Sequence, residues 1–366
     1  MKSIFSIRIY KHIVYILWRQ YIFICIFLNT FKIFSIKKPI IFYGGAIKGD
    51  KGGPLVKIKK LEKYFPQSQI NFNIIYLLSN NQHLSKTSIN IIIRNKIPII
   101  LNQNGVYYPG WFNGDWQKEN LKLAEIYHLS DYVLWQSKFA KKASNKYLGK
   151  RLGPGEILYN AVDTEFFTPR NISKNEKFTF LLTGNIRKKN NYRISIIILA
   201  IKEIINVNSN ICLNIAGFIE DKDNIFNLIK TLKLKNHIKF LDKYSQKDAP
   251  NIYNMADAYI TITFQDNCPT AVLEAMSCGL PILYSASGGI PELVDEESGI
   301  GLEVKESWTT IKTPAIDQIV NGMKKIIENK NKMSLAARRR VIKNFDIKDW
   351  VDKHTQIIQK IYYSQF

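Results

Sequence analysis

Short apolar runs alternate with helical stretches along almost the whole chain after residue 38, and this alternation constrains the fold more than any other feature. Apolar runs such as FNIIYLLS (72–79) and PIILNQNG (98–105) are separated by stretches of helical pattern such as LVKIKKLEKYF (55–65). Strands that are buried on both faces of a parallel sheet have continuous apolar runs of this kind, and helices connect them. The sequence therefore predicts an α/β protein built on parallel sheets.

The alternation is interrupted once, by the polar loop RNISKNEK (170–177), and then starts again. This interruption predicts two α/β halves, an N-terminal domain at 39–168 and a C-terminal domain at 169–344. The 366 residues of the chain are enough for two domains. Parallel sheets bind ligands at the carboxyl ends of their strands, so two facing sheets would hold a ligand in the cleft between them.

The segment DNCPTAVLEAMSCGLP (266–281) has the pattern of a loop followed by a short helix. Pro269 suits the first helical position, where its missing N–H leaves no hydrogen bond unmade. The free backbone N–H groups of Thr270 and Ala271, together with the helix dipole, favour a phosphate or diphosphate. The start of this helix is therefore a candidate anion site.

Two acids in this segment, Asp266 and Glu274, lie eight positions apart. If Asp266 is in the loop, both carboxylates can face one groove, and each can accept hydrogen bonds from sugar hydroxyls. The alternative is structural, because Asp266 could cap the helix while Glu274 is solvated. Spacing alone leaves both interpretations open.

The order of motifs around this segment resembles the retaining glycosyltransferases of family 4. Their donor motif is an acid, seven residues and a glutamate, followed by A-x-x-C/A-G-x-P and G-G-x-P-E; here Glu274 is followed by AMSCGLPIL and SASGGIPELV. ILYNAVDTEFFTP resembles the interdomain segment of the family, and FTFLLTGN followed by basic residues resembles its glycine–arginine element. The resemblance extends from about residue 40 to the C-terminus. It implies the GT-B fold, with two facing Rossmann-like domains, an interdomain cleft and a C-terminal helix (345–366) that crosses back to the N-terminal domain.

The resemblance also implies roles for the donor segment. Glu274 would bind the ribose hydroxyls of a nucleotide, and Asp266 would lie beside the donor sugar near its anomeric carbon. The family usually has Glu at the position of Asp266, so the carboxylate here reaches one methylene less far. The other residues expected to meet the sugar and diphosphate, or to keep neighbouring turns close, are Asn267, Cys268, Thr270, Gly184, Gly288 and Gly289.

The positive charges expected at the leaving diphosphate lie later in this chain than in the family. Gly184 is followed by Asn185, where the family has a glycine–arginine pair. The basic residues that follow are Arg187, Lys188, Lys189 and Arg193. We predict that Arg187, with Lys189 or Arg193, stabilises the leaving group, since charge-assisted hydrogen bonds contribute roughly 1.5–3 kcal/mol each. A solvated basic turn is the alternative for at least one or two of the four.

The N-terminal half supplies candidates for the acceptor side of the cleft. Asn104 lies where relatives often carry a histidine, and it can hydrogen-bond a sugar hydroxyl but cannot act as an acid. Gly52 and Gly53 follow the first strand, where a glycine-rich turn lets the backbone approach a ligand, with a plain turn as the alternative. Tyr107 and Tyr108 could stack on a sugar or simply pack the loop.

The formal net charge of the chain is +22. Such an excess is typical of proteins that bind nucleic acid, anionic membranes or anionic substrates. An AT-rich genome would produce the same abundance of Lys, Ile and Asn without any partner. No nucleic-acid-binding motif is present, so we expect no nucleic-acid partner.

The cysteines and histidines predict neither a metal nor a disulfide framework. The four cysteines include no C-x-x-C pair, and the five histidines show no metal-ligand spacing. These observations favour a reducing, cytoplasmic setting. We expect no metal and no cofactor beyond a nucleotide-sugar co-substrate.

The N-terminal extension, residues 1–38, contains the nearly all-apolar run IVYILWRQYIFICIFL (13–28), with Arg19 inside it. A spanning helix needs about 20 apolar residues, and a central arginine costs roughly 2.5–3.5 kcal/mol. No cleavage site of a signal peptide follows. We therefore expect a helix that lies on the membrane or packs on the protein, with a spanning anchor and a variable extension as alternatives.

The resemblance implies a glycosyltransferase, of the hexosyltransferase class, that moves a sugar from a nucleoside diphosphate sugar to a hydroxyl acceptor with retention of configuration. The basic charge and the apolar N-terminus favour a glycan or lipid-linked acceptor from polysaccharide, lipopolysaccharide or glycolipid synthesis. The expected location is the cytoplasm, with an anionic membrane surface at its inner face as a further partner. The alternatives are a non-catalytic GT-B protein that binds sugar nucleotides and, more remotely, a basic nucleic-acid-binding protein.

Overall fold

The computed structural model describes residues 2–31, 38–49, 52–80, 83–170, 176–241 and 243–364. Residues 32–37 of the predicted extension and residues 171–175 of the predicted interdomain loop lie outside these ranges. Within them, the chain forms two α/β domains, each built on a fully parallel sheet, with a cleft between them. The prediction of two parallel-sheet domains is confirmed.

In the described part of the chain, the N-terminal sheet has five strands in the order β1-β2-β3-β4-β5. The strands are β1 (Ile41–Phe42), β2 (Ile74–Leu78), β3 (Ile99–Gln103), β4 (Tyr132–Trp135) and β5 (Gly155–Ile157), and the helices of this half are α1 (Lys2–Asn29), α2 (Gly53–Tyr64), α3 (Lys86–Arg94), α4 (Trp116–Leu129) and α5 (Lys138–Tyr147). Every residue of β2 and β3 is buried, because helices cover both faces of a parallel sheet.

The C-terminal sheet has six described strands in the order β11-β10-β9-β6-β7-β8. The strands are β6 (Phe178–Ile186), β7 (Ile211–Ile219), β8 (Ile238–Leu241), β9 (Ala258–Thr261), β10 (Ile282–Ala286) and β11 (Gly299–Glu303), and the helices are α6 (Tyr192–Ile204), α7 (Lys222–Thr231), α8 (Ala249–Asn254), α9 (Thr270–Ser277), α10 (Ile290–Leu293), α11 (Ile316–Asn344) and α12 (Ile347–Tyr363). The strand order reverses between β6 and β9, and the loops after these two strands therefore meet at the edge of the cleft.

The final helix, α12, packs on the N-terminal domain although it follows α11 of the C-terminal domain. Its apolar residues, among them Trp350 and Ile358, join the cluster formed by Ile58 of α2 and Tyr76 of β2. A buried hydrogen bond of 2.8 Å also joins His354 Nε2 to Tyr76 Oη. The end of the chain thus contributes to the core of the first domain.

The first helix, α1, packs one face on the N-terminal domain. Ile22 and Ile26 are fully buried in the cluster that includes Phe72. Trp18 Nε1 donates to Gly45 O and Arg19 Nη2 donates to Leu84 O, each at 3.0 Å. The helix is therefore part of the N-terminal domain and not a separate extension.

The alternation of apolar runs missed several elements, among them α4 and β11. The sequence of α4, WQKENLKLAEIYHL, is mostly polar; the helix begins where Asp115 Oδ1 accepts a hydrogen bond from Lys118 N at 2.9 Å. The strand β11 contains Gly299 and Gly301, and glycine has a low propensity for β-strands. It forms because it pairs in parallel with β10 at the edge of the sheet, a tertiary contact that has no local pattern.

Candidate functional site

The interdomain cleft encloses about 1050 Å³ and is lined by residues of both domains. This volume is at the upper end of the range of about 300–1,000 Å³ that is typical of ligand pockets, so a nucleotide sugar can be accommodated. The cleft meets the C-terminal sheet where its strand order reverses, and residues 266–271 together with Glu274 form one wall.

Asp266 lies in the loop after β9 and faces this cleft. Its Oδ1 accepts a hydrogen bond from Cys268 N at 3.3 Å. Burial raises the pKa of Asp266 above its ordinary value, against the opposing effects of the Arg193 charge and of two backbone N–H groups. Helix α9 begins at Thr270 after Pro269, one residue later than predicted, and has no side-chain cap. The interpretation of Asp266 as a helix cap is therefore wrong.

Glu274 projects from α9 and is 8% exposed, so the interpretation of a solvated side chain is also wrong. Gln246 Nε2 donates to its Oε1 at 2.7 Å, and Tyr253 Oη donates to its Oε2 at 2.8 Å. Burial raises the pKa of Glu274, while these two hydrogen bonds and the charge of Lys60 oppose the rise. Each carboxylate oxygen has two lone pairs, so both can still accept bonds from ligand hydroxyls.

The predicted donor residues Asn267, Cys268, Thr270 and Gly184 line the cleft, but Gly288 and Gly289 lie behind it. Gly289 N donates to Asp266 O at 2.7 Å, which holds the donor loop in place. Gly288 has a left-handed backbone (φ +70°), and a side chain there would collide with Asp266 O. These two glycines therefore support the loop.

The structure separates the basic residues that were predicted to meet the diphosphate. Arg187 lines the cleft and forms an ion pair of 3.6 Å with Glu220. Arg193 lies close enough to Asp266 to lower its pKa. Lys189 does not line the cleft; its Nζ donates to Trp111 O at 3.1 Å, because the turn after β6 lies against the N-terminal domain. The prediction for Lys189 is corrected accordingly.

On the acceptor side, Gly52, Gly53 and Asn104 line the cleft, whereas Tyr107 and Tyr108 do not. Tyr107 stacks on the ring of Trp111, with ring centroids 5.3 Å apart. Tyr108 is 4% exposed and packs in the hydrophobic cluster of the N-terminal domain. The prediction that these tyrosines belong to the acceptor site is therefore corrected. Their rings pack inside the N-terminal domain instead, and this packing stabilises the loop.

Several cleft residues have no counterpart in the sequence predictions, among them Lys57, Lys60, Gln136 and Asn160. Asn160 Nδ2 donates to Cys268 O at 2.6 Å and so ties the donor loop to the N-terminal domain. The two lysines could have been found in the sequence. They follow the Gly52–Gly53 turn, and their spacing of three residues puts both on one face of a helix. No local pattern marks Gln136.

Comparison with curated sequences gives relatives at low identity. An uncharacterized glycosyltransferase of Haemophilus influenzae is 25% identical over 204 residues, covering 55% of this chain and 50% of that protein. The N-acetyl-alpha-D-glucosaminyl L-malate synthase of Bacillus anthracis is 26% identical, covering 55% and 52%. The Escherichia coli UDP-Gal:alpha-D-GlcNAc-diphosphoundecaprenol alpha-1,3-galactosyltransferase is 28% identical, covering 36% and 35%. The match spans about half the length, or less, of these relatives.

Comparison with solved structures shows the fold. The Anabaena protein HepE in complex with UDP superimposes with a TM-score of 0.65 at 15% identity, covering 84% of this chain and 82% of that one. A glycosyltransferase from Rickettsia africae gives a TM-score of 0.63 at 16% identity, covering 86% and 83%. These neighbours and the two facing parallel-sheet domains confirm the GT-B fold.

The family follows from the half of the chain that contains residues 266–271 and Glu274 of the cleft wall. The model of glycosyl transferases group 1 matches residues 163–345, which is half of the chain. The matched region begins at Asp163 in the cleft and includes both acids of the donor loop and helix. This protein belongs to the family of glycosyl transferases group 1.

Proposed function

We propose that this protein is a retaining glycosyltransferase, similar to family 4, that transfers a hexose from a UDP-sugar to a hydroxyl acceptor. The observation that carries the proposal is the placement of Asp266, Glu274 and the start of α9 on one wall of the cleft. The names of several neighbours support UDP, since HepE was solved with UDP and with UDP-glucose, and the E. coli relative is named for UDP-Gal.

In this proposal, Glu274 binds the ribose, the start of α9 binds the diphosphate, and Asp266 lies beside the anomeric carbon. Catalysis then comes from positioning and from stabilising the charge that develops on the leaving diphosphate. The N–H groups at the start of α9 and the guanidinium of Arg187 supply that stabilisation without a metal ion.

The test compares UDP affinity with UDP release from a panel of UDP-sugars. Glu274→Gln should weaken UDP binding about tenfold or more, since a hydrogen bond to a charged group contributes about 1.5–3 kcal/mol. Asp266→Asn should leave UDP affinity nearly unchanged but lower the rate of UDP release by about 10²-fold. Glu297→Gln, an exposed acid outside the cleft, is the matched control.

Three outcomes of this test are distinguishable. Loss of UDP binding in Glu274→Gln with loss of turnover in Asp266→Asn supports the transferase. UDP binding without turnover of any UDP-sugar, in the wild-type protein, would favour the non-catalytic sugar-nucleotide binder. Wild-type behaviour of both variants would contradict the site itself.

We further propose that the protein works in the cytoplasm at the inner face of a membrane, on an envelope glycan or a lipid-linked acceptor. The support is the outer face of α1, where large apolar side chains such as Ile13, Leu17, Ile24 and Leu28 are exposed. The part His12–Asn29 is long and apolar enough to span a membrane, but its inner face packs on the N-terminal domain. A helix held in this way lies on the surface of a bilayer rather than across it.

A further inference from the structure

The N-terminal wall of the cleft contains a buried lysine, Lys57 of α2. It is 9% exposed, it lines the cavity, and its Nζ donates to Asn102 Oδ1 at 3.1 Å. Among the residues that the structure describes, no carboxylate lies within ion-pair distance of Lys57. Burying an unpaired charge is costly. A role in binding a ligand would explain why a lysine occupies this buried position.

A chain of buried hydrogen bonds fixes the amide that holds Lys57. His354 Nδ1 lies 2.8 Å from Trp350 O and must donate to it, because a carbonyl can only accept. His354 Nε2 therefore accepts from Tyr76 Oη at 2.8 Å, and Tyr76 Oη accepts from Asn102 Nδ2 at 3.0 Å. This leaves Asn102 Oδ1 as the acceptor for Lys57. The network, which begins on α12, thus orients the lysine toward the cavity.

One of the three N–H groups of Lys57 is used by Asn102. The N-terminal wall of the cavity is rich in amides, and these are Asn80, Asn104, Gln136 and Asn160. Asn160 Oδ1 is buried and has no hydrogen-bond partner among the described residues. These amides together with Lys57 suit a ligand that carries both hydroxyls and a negative group.

The charged side chains that line the cleft also favour an anionic ligand, because cations outnumber acids among them. The cations of the described lining are Lys57, Lys59, Lys60, Lys63, Arg187 and Lys243, and the acids are Asp163, Asp266 and Glu274. Lys60 lies near Glu274 and Asp163, whose charges oppose the lowering of its pKa by burial. Among the described residues, no carboxylate has this effect on Lys57, which leaves an anionic ligand as the partner for its charge.

We propose that Lys57 binds a compact oxyanion, a phosphate or a carboxylate, on the acceptor, next to the hydroxyl that receives the sugar. This inference rests on the proposed transferase function. The N–H groups at the start of α9 face the donor diphosphate from the opposite domain, and Lys57 approaches from the acceptor side. A lysine ammonium is a point charge, so it accepts phosphate and carboxylate alike.

The test measures oxyanion binding to the protein saturated with UDP, which occupies the donor site. Inorganic phosphate, pyrophosphate and acetate are titrated calorimetrically at about pH 6, where Lys57 is protonated, into the wild type and into Lys57→Met, Lys57→Arg and Lys118→Met. Lys118 is an exposed lysine outside the cleft. We expect Lys57→Met to weaken oxyanion binding about tenfold or more, and the two other variants to retain it.

The comparison among the three anions identifies the group on the acceptor. Phosphate or pyrophosphate bound more tightly than acetate points to a phosphorylated acceptor, and the reverse order points to a carboxylate. Equal oxyanion affinity of the wild type and Lys57→Met overturns the proposal, and so does a loss confined to UDP affinity, which would assign Lys57 to the donor diphosphate. Wild-type protein that fails to bind UDP contradicts the proposed function instead, and the anion titration without UDP still tests Lys57.

Discussion

At the scale of single residues, the cleft wall that carries Asp266 and Glu274 depends on tertiary hydrogen bonds as well as on the two acids themselves. Asp266 and Glu274 could be selected from the order of the motifs around them, whereas their spacing alone left a structural interpretation open. The partners of Glu274, Gln246 and Tyr253, come from a loop and a short helix earlier in the chain and have no motif. Tertiary hydrogen bonds of this kind cannot be predicted from local pattern.

The burial of Lys57 predicts a dependence of stability on pH. Burial lowers the pKa of Lys57 to about 7, although the nearby Cys268 opposes the shift and Lys60 adds to it. An unfolded lysine has a pKa of about 10.4, so between about pH 7 and that value the unfolded state binds more protons. The free energy of unfolding should therefore rise with pH by up to about 1.4 kcal/mol per unit across this window.

The measurement is urea unfolding of the wild type and of Lys57→Met between about pH 7 and about pH 8.5, below the titration of most other buried groups. The free energy of unfolding of Lys57→Met should not rise with pH in this way. The variant should exceed the wild type in stability by the largest amount at the acidic end of the range. Lys118→Met should follow the wild-type curve. Parallel curves for the wild type and Lys57→Met would show that this lysine is not desolvated in the folded protein.

At the scale of elements, the hydropathy of α1 predicts a helix but not which of its faces is buried. Almost every position from 13 to 28 is apolar, so the pattern predicts a helix but does not distinguish its two faces. The structure distinguishes them, because Ile22 and Ile26 are buried while Leu17 and Leu28 are more than half exposed. Which face packs depends on the surface of α3 and β2, which no local pattern describes.

The exposed face of α1 predicts binding to lipid. The double variant Leu17→Glu, Leu28→Glu should lose about tenfold or more in sedimentation with phosphatidylcholine vesicles that contain phosphatidylglycerol, because burying each leucine contributes about 1.5–3 kcal/mol. Its thermal unfolding should stay close to that of the wild type, since both leucines are exposed. Val207→Glu, at a still more exposed apolar position of the C-terminal domain, serves as the control. Equal sedimentation of all three proteins would place the membrane contact elsewhere.

At the scale of the whole molecule, two residues of the C-terminal domain form an interdomain latch, Glu292 and Trp308. Glu292 of α10 accepts hydrogen bonds from Lys138 N and Phe139 N, at the start of α5, at 2.8 and 2.9 Å. Trp308, in the loop after β11, stacks on Phe139 with ring centroids 5.5 Å apart. Glu292 belongs to the G-G-x-P-E motif, but the contact of Glu292 with α5 forms only when both domains have folded. The sequence therefore predicted a cleft between the domains but not the width of that cleft.

We expect Glu292→Ala combined with Trp308→Ala to open the cleft while each domain stays folded. A carboxylate at a helix start contributes only about 0.3–1 kcal/mol, which is small beside the core of α5. Small-angle scattering should report a larger radius of gyration, and UDP release from a UDP-sugar should fall by about 10²-fold, because the reacting groups lie on facing domains. UDP should still bind, since Glu274 and Asp266 share one domain. Glu297→Ala, an exposed acid close to Glu292 in sequence, should leave scattering and turnover unchanged. Unchanged values in the double variant would mean that other contacts, such as α12 and the hydrogen bond from Asn160 to Cys268 O, set the arrangement of the domains.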